Sequence, residues 1–422
     1  MEQNYDICVI GLGYVGLPLA VALSKKYYVS GIDTDANRIS CLENGIDNTN
    51  EFEPHEIENA LKSGLKLSSI YLRRDKPTVF IVTVPTPVSE EKLPDLQIMH
   101  SACSSIGQLI KKGDIVVFES TVYPGATREE FIPIIENVSH LIGGKDFYFG
   151  YSPERINPSD KLHKIQNIVK VVSGCSPRSL AVISEIYSKI VEAGIYQAES
   201  VEVAEAAKVI ENTQRDINIA FMNEVSLILH ALNINTKQVL KAASTKWNFL
   251  QFNPGLVGGH CIGVDPYYII HKSKEHGYYP ALISTGRKTN ESMGNFVVLQ
   301  LLKCAEIKNI SLQNKPVLIL GATFKPDCPD LRNSKVEEIC DELNKVNVKT
   351  FIFDPVAYER KLGKHTINNK LTAALDTFSA VILAVPHLRL VEFVDEEFSN
   401  GKHAKIFFDL YSACRCNNHF EL

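Results

Sequence analysis

The stretch Gly258-Gly259-His260-Cys261-Ile262-Gly263-Val264-Asp265 places a thiol inside a glycine-rich loop. Glycines let backbone N–H groups approach a bound carbonyl, and a cysteine there is accessible in a way that a core cysteine is not. The chemistry that suits such a loop is thiolate attack on an aldehyde carbon, provided the thiol is ionised or loses its proton as it attacks. Most cysteines do nothing chemical, so the loop does not decide the matter alone. A second constellation is Glu205-Ala206-Ala207-Lys208-Val209-Ile210-Glu211-Asn212. Lys208 and Asn212 stand at i and i+4, so on a helix both project from one face. An ammonium and an amide aimed at one point can stabilise a developing oxyanion. From spacing alone, a solvated polar stripe is the better reading.

A third constellation lies near the start. Gly11-Leu12-Gly13-Tyr14-Val15-Gly16 matches G-x-G-x-x-G. It follows an apolar run that reads as a strand, opens a helical pattern, and is followed by Asp33 at the end of the next strand. That is the full context of a dinucleotide fingerprint. Gly11 permits the tight turn, Gly13 the approach of backbone to pyrophosphate, and Gly16 close helix–strand packing. The helix N-terminus offers N–H groups and partial positive charge to phosphates. Asp33 can accept from the adenosine ribose hydroxyls and would repel a 2′-phosphate, so NAD is favoured over NADP. The competing reading is a glycine-rich turn with no ligand. Arg38 either stacks near the adenine or is a solvated helix residue. Thr86 and Thr121 follow two later strands, where ligands of parallel sheets bind; each could instead cap a turn or helix.

These groups need a scaffold, and the periodicity supplies one. Strands are expected at residues 5–10, 28–33, 79–84, 115–119, 147–151 and 169–173, with helical stretches between most of them. The alternation argues for a doubly wound α/β domain over residues 1–200. Val203, Ala207, Ile210, Ile217, Phe221, Val225, Ile228 and Leu232 recur at helical spacing, which predicts one amphipathic helix of about 30 residues. So long a helix joins domains or builds a dimer interface. It opens a central helical block over 201–310. The α/β pattern then restarts, with strands at 316–321, 348–353, 380–385 and 405–410, giving a second Rossmann-like domain over 311–422. The fold class is thus α/β, with two doubly wound domains joined by a long central helix.

Composition narrows the partners. The chain has 422 residues, 45% hydrophobic and 22% charged, with a formal net charge of −5. Nucleic acid is not expected, because its footprint would be basic. A membrane span is not expected either, since no apolar run reaches about 20 residues. The N-terminal residues lack the basic segment of a secretory signal. The ten cysteines form no C-x-x-C pair. They read as belonging to a reduced, cytoplasmic protein, and no metal site is expected. His387 and the pair Cys414 and Cys416 read as incidental.

The three constellations occur in one order with Thr121, Ser152-Pro153-Glu154, Phe252-Asn253-Pro254-Gly255 and Phe324-Lys325-Pro326-Asp327. Across essentially the whole chain this set resembles the UDP-glucose/GDP-mannose dehydrogenase family. The resemblance implies an NAD-dependent, four-electron oxidation of the C6 alcohol of a nucleotide sugar. Cys261 would trap the aldehyde as a thiohemiacetal and carry the resulting thioester, which water releases. Lys208 and Asn212 match the oxyanion-stabilising pair, and Asp265 the carboxylate beside the cysteine. Glu154 and Thr121 match positions that arrange water, substrate and nicotinamide. Residues 249–255, with Phe249, Asn253 and Gly255, match with Gly258 the segment that packs over the sugar nucleotide. Phe324 and Lys325 match the third block's substrate-binding segment, and Arg332 an arginine that meets the cofactor.

One departure bears on the substrate. UDP-glucose dehydrogenases typically carry lysine before the aspartate of the cysteine loop, where this chain has Val264. That form, and Tyr151-Ser152-Pro153-Glu154-Arg155-Ile156-Asn157-Pro158, look more like the branch acting on UDP-N-acetylhexosamines. UDP-N-acetylglucosamine or UDP-N-acetylgalactosamine is therefore favoured, with UDP-N-acetylmannosamine and UDP-glucose behind. Arg287 is a candidate substrate contact in that branch, or a surface residue. The long helix suggests a homodimer, and a role in surface-polysaccharide precursor synthesis follows from the same likeness. Two rival readings stand: a two-electron hydroxyacid-type dehydrogenase, indifferent to Cys261, and a non-catalytic nucleotide-binding regulator.

Overall fold

The computed structural model describes residues 5–71, 73–155, 164–313, 315–371, 373–401, 404–416 and 420–422. The chain forms two compact units, Met1–Glu211 with Tyr267–Tyr278, and Asn212–Pro266 with Tyr279–Leu422.

In the first unit, β1 (Asp6–Ile10), β2 (Val29–Ile32), β3 (Leu65–Ser68), β4 (Thr78–Val82), β5 (Ile115–Phe118) and β6 (Tyr148–Tyr151) form one sheet in the order β3-β2-β1-β4-β5-β6. Every pairing is parallel. The central strands β4 and β5 are buried along their whole length, which is why they read as unbroken apolar runs. The helices α1 (Gly16–Ser24), α2 (Ala36–Glu43), α3 (Pro54–Ser63), α4 (Gln97–Leu109) and α5 (Ile132–Ser139) connect them. Strand order reverses between β1 and β4, and ligands of such sheets bind outside the carboxyl ends at that point. The run at 169–173 does form a strand, β7 (Lys170–Val172). It pairs with β8 (Ile195–Gln197) in a separate two-stranded sheet, with α6 (Pro177–Ser188) between the two.

The long helix is present as α7, Val201–Ala231, 31 residues. Its apolar stripe, however, faces out. Val203, Ile210, Phe221 and Ile228 are each about half exposed, while Ala204, Lys208, Asn212, Asp216 and Asn223 are buried. The inward face mixes apolar residues such as Val209 and Met222 with polar side chains that hydrogen-bond to neighbouring segments.

The second unit contains α8 (Thr236–Ala243) and α10 (Ala281–Ile307), with α9 (Asp265–Glu275) beginning at its edge. Its sheet has the order β11-β12-β10-β9-β13-β14, from β9 (Val317–Leu320), β10 (Thr350–Phe353), β11 (Lys361–Leu362), β12 (His365–Asn368), β13 (Ala380–Leu383) and β14 (Phe407–Asp409). All pairings are parallel except the short β11–β12 hairpin at the edge. Helices α11 (Lys335–Lys345) and α12 (Leu388–Ser399) cover it. An apolar core that includes Val297, Leu301, Ile339 and Leu343 ties α10 and α11 to one face. The two sheets share one local device. Leu12 N–H donates to Asp33 Oδ2 at 2.8 Å, and Ala322 N–H donates to Asp354 Oδ2 at 2.6 Å. In each, the carboxylate ending the second strand holds the turn after the first. No described helix is long and apolar enough to cross a membrane.

Candidate active site

The dinucleotide fingerprint adopts the geometry its glycines permit. Gly11 has φ +91°, in the left-handed region, and a Cβ on Gly16 would stand 1.8 Å from Gly11 O and 2.4 Å from Thr83 Oγ1. A Cβ on Gly13 would meet nothing within 4 Å, which leaves the open approach that a pyrophosphate needs. Tyr14 and Val15 are partly exposed just before α1. Asp33 turns one oxygen to Leu12 N–H and the other to Asp35 N–H at 2.9 Å, so the carboxylate is fixed at the strand end. The residues present therefore fit a dinucleotide. Arg38 is not solvated: it is buried, donates from Nε to Leu12 O at 2.9 Å and pairs with Asp47 at 2.8 Å. It braces the same turn. Thr86 and Thr121 lie partly exposed in the loops after β4 and β5, and the Thr86 carbonyl accepts from Tyr268 Oη at 2.8 Å.

In the same unit Lys208 reaches the loop after β6. Its ammonium donates to the Glu154 main-chain oxygen at 2.8 Å. Glu154 is 7% exposed, and its Oε1 has no hydrogen-bond partner among the described residues. Burial pushes its carboxyl up to about 7, against the opposing charges of Lys208 and Lys170. The stretch Ile156-Asn157-Pro158 lies outside the described residues. Sequence reasoning missed the support beneath this loop. Buried Lys170 pairs with Glu119 at 2.7 Å and donates to Pro153 O at 3.2 Å, while Tyr187 Oη donates to Glu119. A buried lysine of this kind has no local motif. Glu205, one turn before Lys208, accepts Gly125 N–H at 2.6 Å and Thr127 N–H at 2.9 Å, tying α7 to the loop beyond β5.

The second unit gathers the cysteine loop. Asn212 donates to Asp265 and accepts from Arg215. Asp265, 1% exposed, donates its N–H to Cys261 O at 2.8 Å. The glycines are required by what lies against them. A Cβ on Gly258 would come within 2.7 Å of Asn333 O, and one on Gly259, at φ +82°, within 2.7 Å of the Phe324 ring. Phe324 thus forms a wall under the loop, and Asn333 Nδ2 donates to Gly259 O at 3.1 Å. Cys261 is partly exposed, and its Sγ lies 3.0 Å from His260 Nδ1. His260 Nε2 faces Asp330 Oδ2 at 4.0 Å. Arg332 grips Asp330 through Nε at 3.0 Å to both oxygens and Nη2 at 2.5 Å, so the arginine is occupied with this carboxylate.

Lys325 is partly exposed, with Nζ 5.6 Å from the Phe324 ring centroid. Gly255 is bracketed by Asn223, which accepts its N–H at 2.8 Å and donates to its carbonyl at 3.0 Å. Phe249 is partly exposed and Asn253 exposed. Arg287 is no surface residue. It is 3% exposed and ion-paired with Asp216 of α7, and a Cβ on Gly263 of the cysteine loop would lie 3.9 Å from its Nη2. His387 is not incidental. Fully buried, it meets Asp354 at 3.1 Å and Thr323 Oγ1 at 3.1 Å, and accepts Asp327 N–H at 2.8 Å, which fixes the turn carrying Phe324 and Lys325. Asp395, Cys414 and Cys416 bring their ligand atoms within 4.8 Å of one another; both cysteines pack on the apolar C-terminal core.

Comparison with known proteins assigns the family. The UDP-glucose/GDP-mannose dehydrogenase family matches through its NAD binding domain at residues 5–191, its central domain at 202–292 and its UDP binding domain at 318–415. The chain is 48% identical to the UDP-N-acetyl-D-glucosamine 6-dehydrogenase of Pseudomonas aeruginosa, over 97% of each chain. It is 44% identical to protein CapL of Staphylococcus aureus, over 97% of this chain and 96% of that one. The UDP-D-ManNAc dehydrogenase structure from Pyrococcus horikoshii superposes with a TM-score of 0.88 at 27% identity, over 98% of this chain and 97% of that one. The chain belongs to the UDP-glucose/GDP-mannose dehydrogenase family and is an NAD-dependent oxidoreductase.

Proposed function

We propose that the chain oxidises the C6 alcohol of a UDP-N-acetylhexosamine, with the gluco or galacto configuration, to the uronic acid. The observation that carries the reading is Cys261 in a glycine loop seated on Phe324, with Asp265 hydrogen-bonded between that loop and Asn212. The relative at 48% identity is a UDP-N-acetyl-D-glucosamine 6-dehydrogenase, which favours the gluco form. The net change is alcohol plus water plus two NAD⁺ to carboxylate, two NADH and three protons. Bound NAD supplies the hydride acceptor at both oxidations.

The protein's part is binding, orientation and charge. Lys208 and Asn212, one turn apart on α7, stabilise the oxygen at C6 as it gains negative charge. Cys261 attacks the aldehyde carbon and holds the sugar covalently until the second oxidation has made a thioester. Glu154, buried and titrating near 7, takes a proton from the reacting hydroxyl or the hydrolytic water. Thr121 orients that group, and Asp265 assists proton movement beside Cys261. Gly11, Gly13, Tyr14, Val15, Gly16, Asp33, Arg38, Thr86 and Arg332 serve the cofactor. Phe249, Asn253, Gly255, Gly258, Arg287, Phe324 and Lys325 serve the nucleotide sugar.

We infer further that the chain works as a homodimer in the cytoplasm and supplies a surface-polysaccharide precursor. The outward apolar stripe of α7 supports the dimer. The absence of a disulfide among the ten cysteines suits a reducing compartment. We also propose the working division 1–200 for NAD, 201–310 for dimerisation and 311–422 for the nucleotide sugar.

The deciding experiment is NADH formed per sugar consumed, over UDP-N-acetylglucosamine, UDP-N-acetylgalactosamine, UDP-N-acetylmannosamine and UDP-glucose. About two NADH per sugar supports covalent capture of the aldehyde. About one points to a two-electron dehydrogenase, and no turnover with any of the four to another nucleotide sugar, GDP-mannose next, or to a non-catalytic nucleotide-binding role.

A further inference from the structure

We propose that His260 is a catalytic residue of this chain, the base that accepts the Cys261 thiol proton, and that Asp330 holds the resulting imidazolium. The proposal rests on the covalent reading above and adds the group that makes the nucleophile. A thiol near its ordinary pKa of about 8.5 is only a few per cent thiolate at neutral pH, and adjacent bases or cations are the usual remedy.

The geometry supplies such a base in contact with the reacting sulfur. His260 Nδ1 lies 3.0 Å from Cys261 Sγ, within reach of a hydrogen bond to sulfur. On the other side of the ring, Nε2 faces Asp330 Oδ2 at 4.0 Å. That is longer than a hydrogen bond, so Asp330 acts through its charge. The carboxylate is reliably anionic. Burial alone would raise it, but the Arg332 hydrogen bonds and charge outweigh burial and hold it below the ordinary aspartate range. Arg332 is held on this carboxylate, with Nε on both oxygens and Nη2 on Oδ2, the oxygen that His260 Nε2 also faces. The Phe324 ring stands edge-on to His260, with centroids 6.0 Å apart at 65°, and limits where the imidazole can swing. Cys261 faces the imidazole at Nδ1 and Asp330 faces it at Nε2, with Arg332 on the same Asp330 carboxylate.

The step balances without an external reagent. The S–H bond breaks and its proton passes to Nδ1. The sulfur pair forms the C–S bond to the aldehyde carbon while the carbonyl π pair moves onto oxygen. That oxygen takes the proton back from the imidazolium, giving the thiohemiacetal hydroxyl. The imidazole begins as the Nε2–H tautomer, which puts the lone pair on Nδ1 toward sulfur and the N–H toward Asp330.

The test reads the thiol directly and needs no substrate. Iodoacetamide alkylation of Cys261 in the full-length protein is followed on its peptide by mass spectrometry across pH. The wild-type rate is expected to titrate well below about 8.5, and His260→Gln to be slower at pH 7 by about tenfold or more. A His260→Gln protein alkylated as fast as wild type at every pH overturns the proposal. If that variant does not fold, the wild-type profile decides alone, and titration at or above about 8.5 overturns it. Wild-type NADH stoichiometry separates the two ideas. One NADH per sugar from a protein whose Cys261 still titrates low defeats the covalent reading and leaves the His260–Cys261 pair standing.

Discussion

Lys208 donates to the main-chain oxygen of Glu154 at 2.8 Å, so the lysine positions the residue whose titration its charge opposes. Burial is the larger influence and lifts the Glu154 carboxyl to about 7, while Lys208 and Lys170 pull it down. As a base Glu154 must be ionised, so kcat rises with pH through about 7. Glu154→Gln is expected to remove that limb and to lower kcat by about 10²–10⁴-fold. Lys208→Met moves the Glu154 titration to higher pH. A kcat profile with the same ascending limb in Glu154→Gln assigns the limb elsewhere.

The same shift has a consequence for stability, and its sign is opposite to that of a salt-bridged carboxylate. The folded-state value near 7 exceeds the unfolded one of about 4.3. The contribution is therefore fully present below about 4.3 and is lost as pH rises toward 7. Glu205, also raised to about 7 chiefly by burial, behaves alike. Melting temperatures between pH 4.5 and 7.5 should fall less steeply in Glu154→Gln than in wild type. An equal slope in the two proteins would show that Glu154 ionises without penalty.

Cys261→Ser keeps the loop that Phe324 and Asn333 support and removes the soft nucleophile. Turnover to the acid should fall by about 10³-fold or more. A single enzyme-bound hydride transfer should survive in stopped-flow, because it precedes covalent capture. A variant still making two NADH per sugar at wild-type rate removes Cys261 from the mechanism.

Asp33 fixes the fingerprint turn by accepting Leu12 N–H at 2.8 Å and would face the ribose of a bound dinucleotide. Asn retains an acceptor for that N–H and loses the charge that repels a 2′-phosphate. Asp33→Asn should raise the KM for NAD several-fold and narrow the preference over NADP, with kcat little changed. Unaltered KM values for both cofactors would place the selectivity elsewhere.

The elements that the sequence announces are those whose signal is local. The apolar runs of β1, β4, β5, β9 and β13, the glycines at 11, 13 and 16, and the spacing of Lys208 to Asn212 need no partner to be recognised. What escapes is set by distant packing. β3, Leu65-Lys66-Leu67-Ser68, is a sheet edge with only its first residue buried. Lys170, His387 and Asp330 matter through residues far off in sequence, and Arg287 stays open between substrate contact and surface residue until Asp216, 71 residues away, is placed against it. The α7 stripe is a subtler case: the period is right, and the face it marks is the one turned outward.

Arg287 and Asp216 are a buried ion pair, 3% and 0% exposed by side chain, with Asn290 donating to Asp216 Oδ1 at 2.8 Å. Removing one charge leaves the other uncompensated, at a cost of about 3–5 kcal/mol, whereas replacing both with apolar groups is often neutral or better. Arg287→Met should unfold at clearly lower denaturant, and Arg287→Met with Asp216→Leu should recover most of the loss. If the double variant is no more stable than Arg287→Met, the pair is not the source of the effect.

Val203, Ile210, Phe221 and Ile228 lie on one side of α7 and are 47–57% exposed. Contiguous exposed apolar surface of this kind marks an interaction site, and a symmetric pair of copies is the commonest way to cover it. Light scattering should therefore give a mass near twice 47.0 kDa for wild type. Phe221→Asp places a charge at the centre of the stripe, without entering the buried face that carries Lys208 and Asn212, and should shift the protein to monomer at micromolar concentration. A wild-type monomer, or a Phe221→Asp protein that remains dimeric, would mean that this stripe is not the dimer contact.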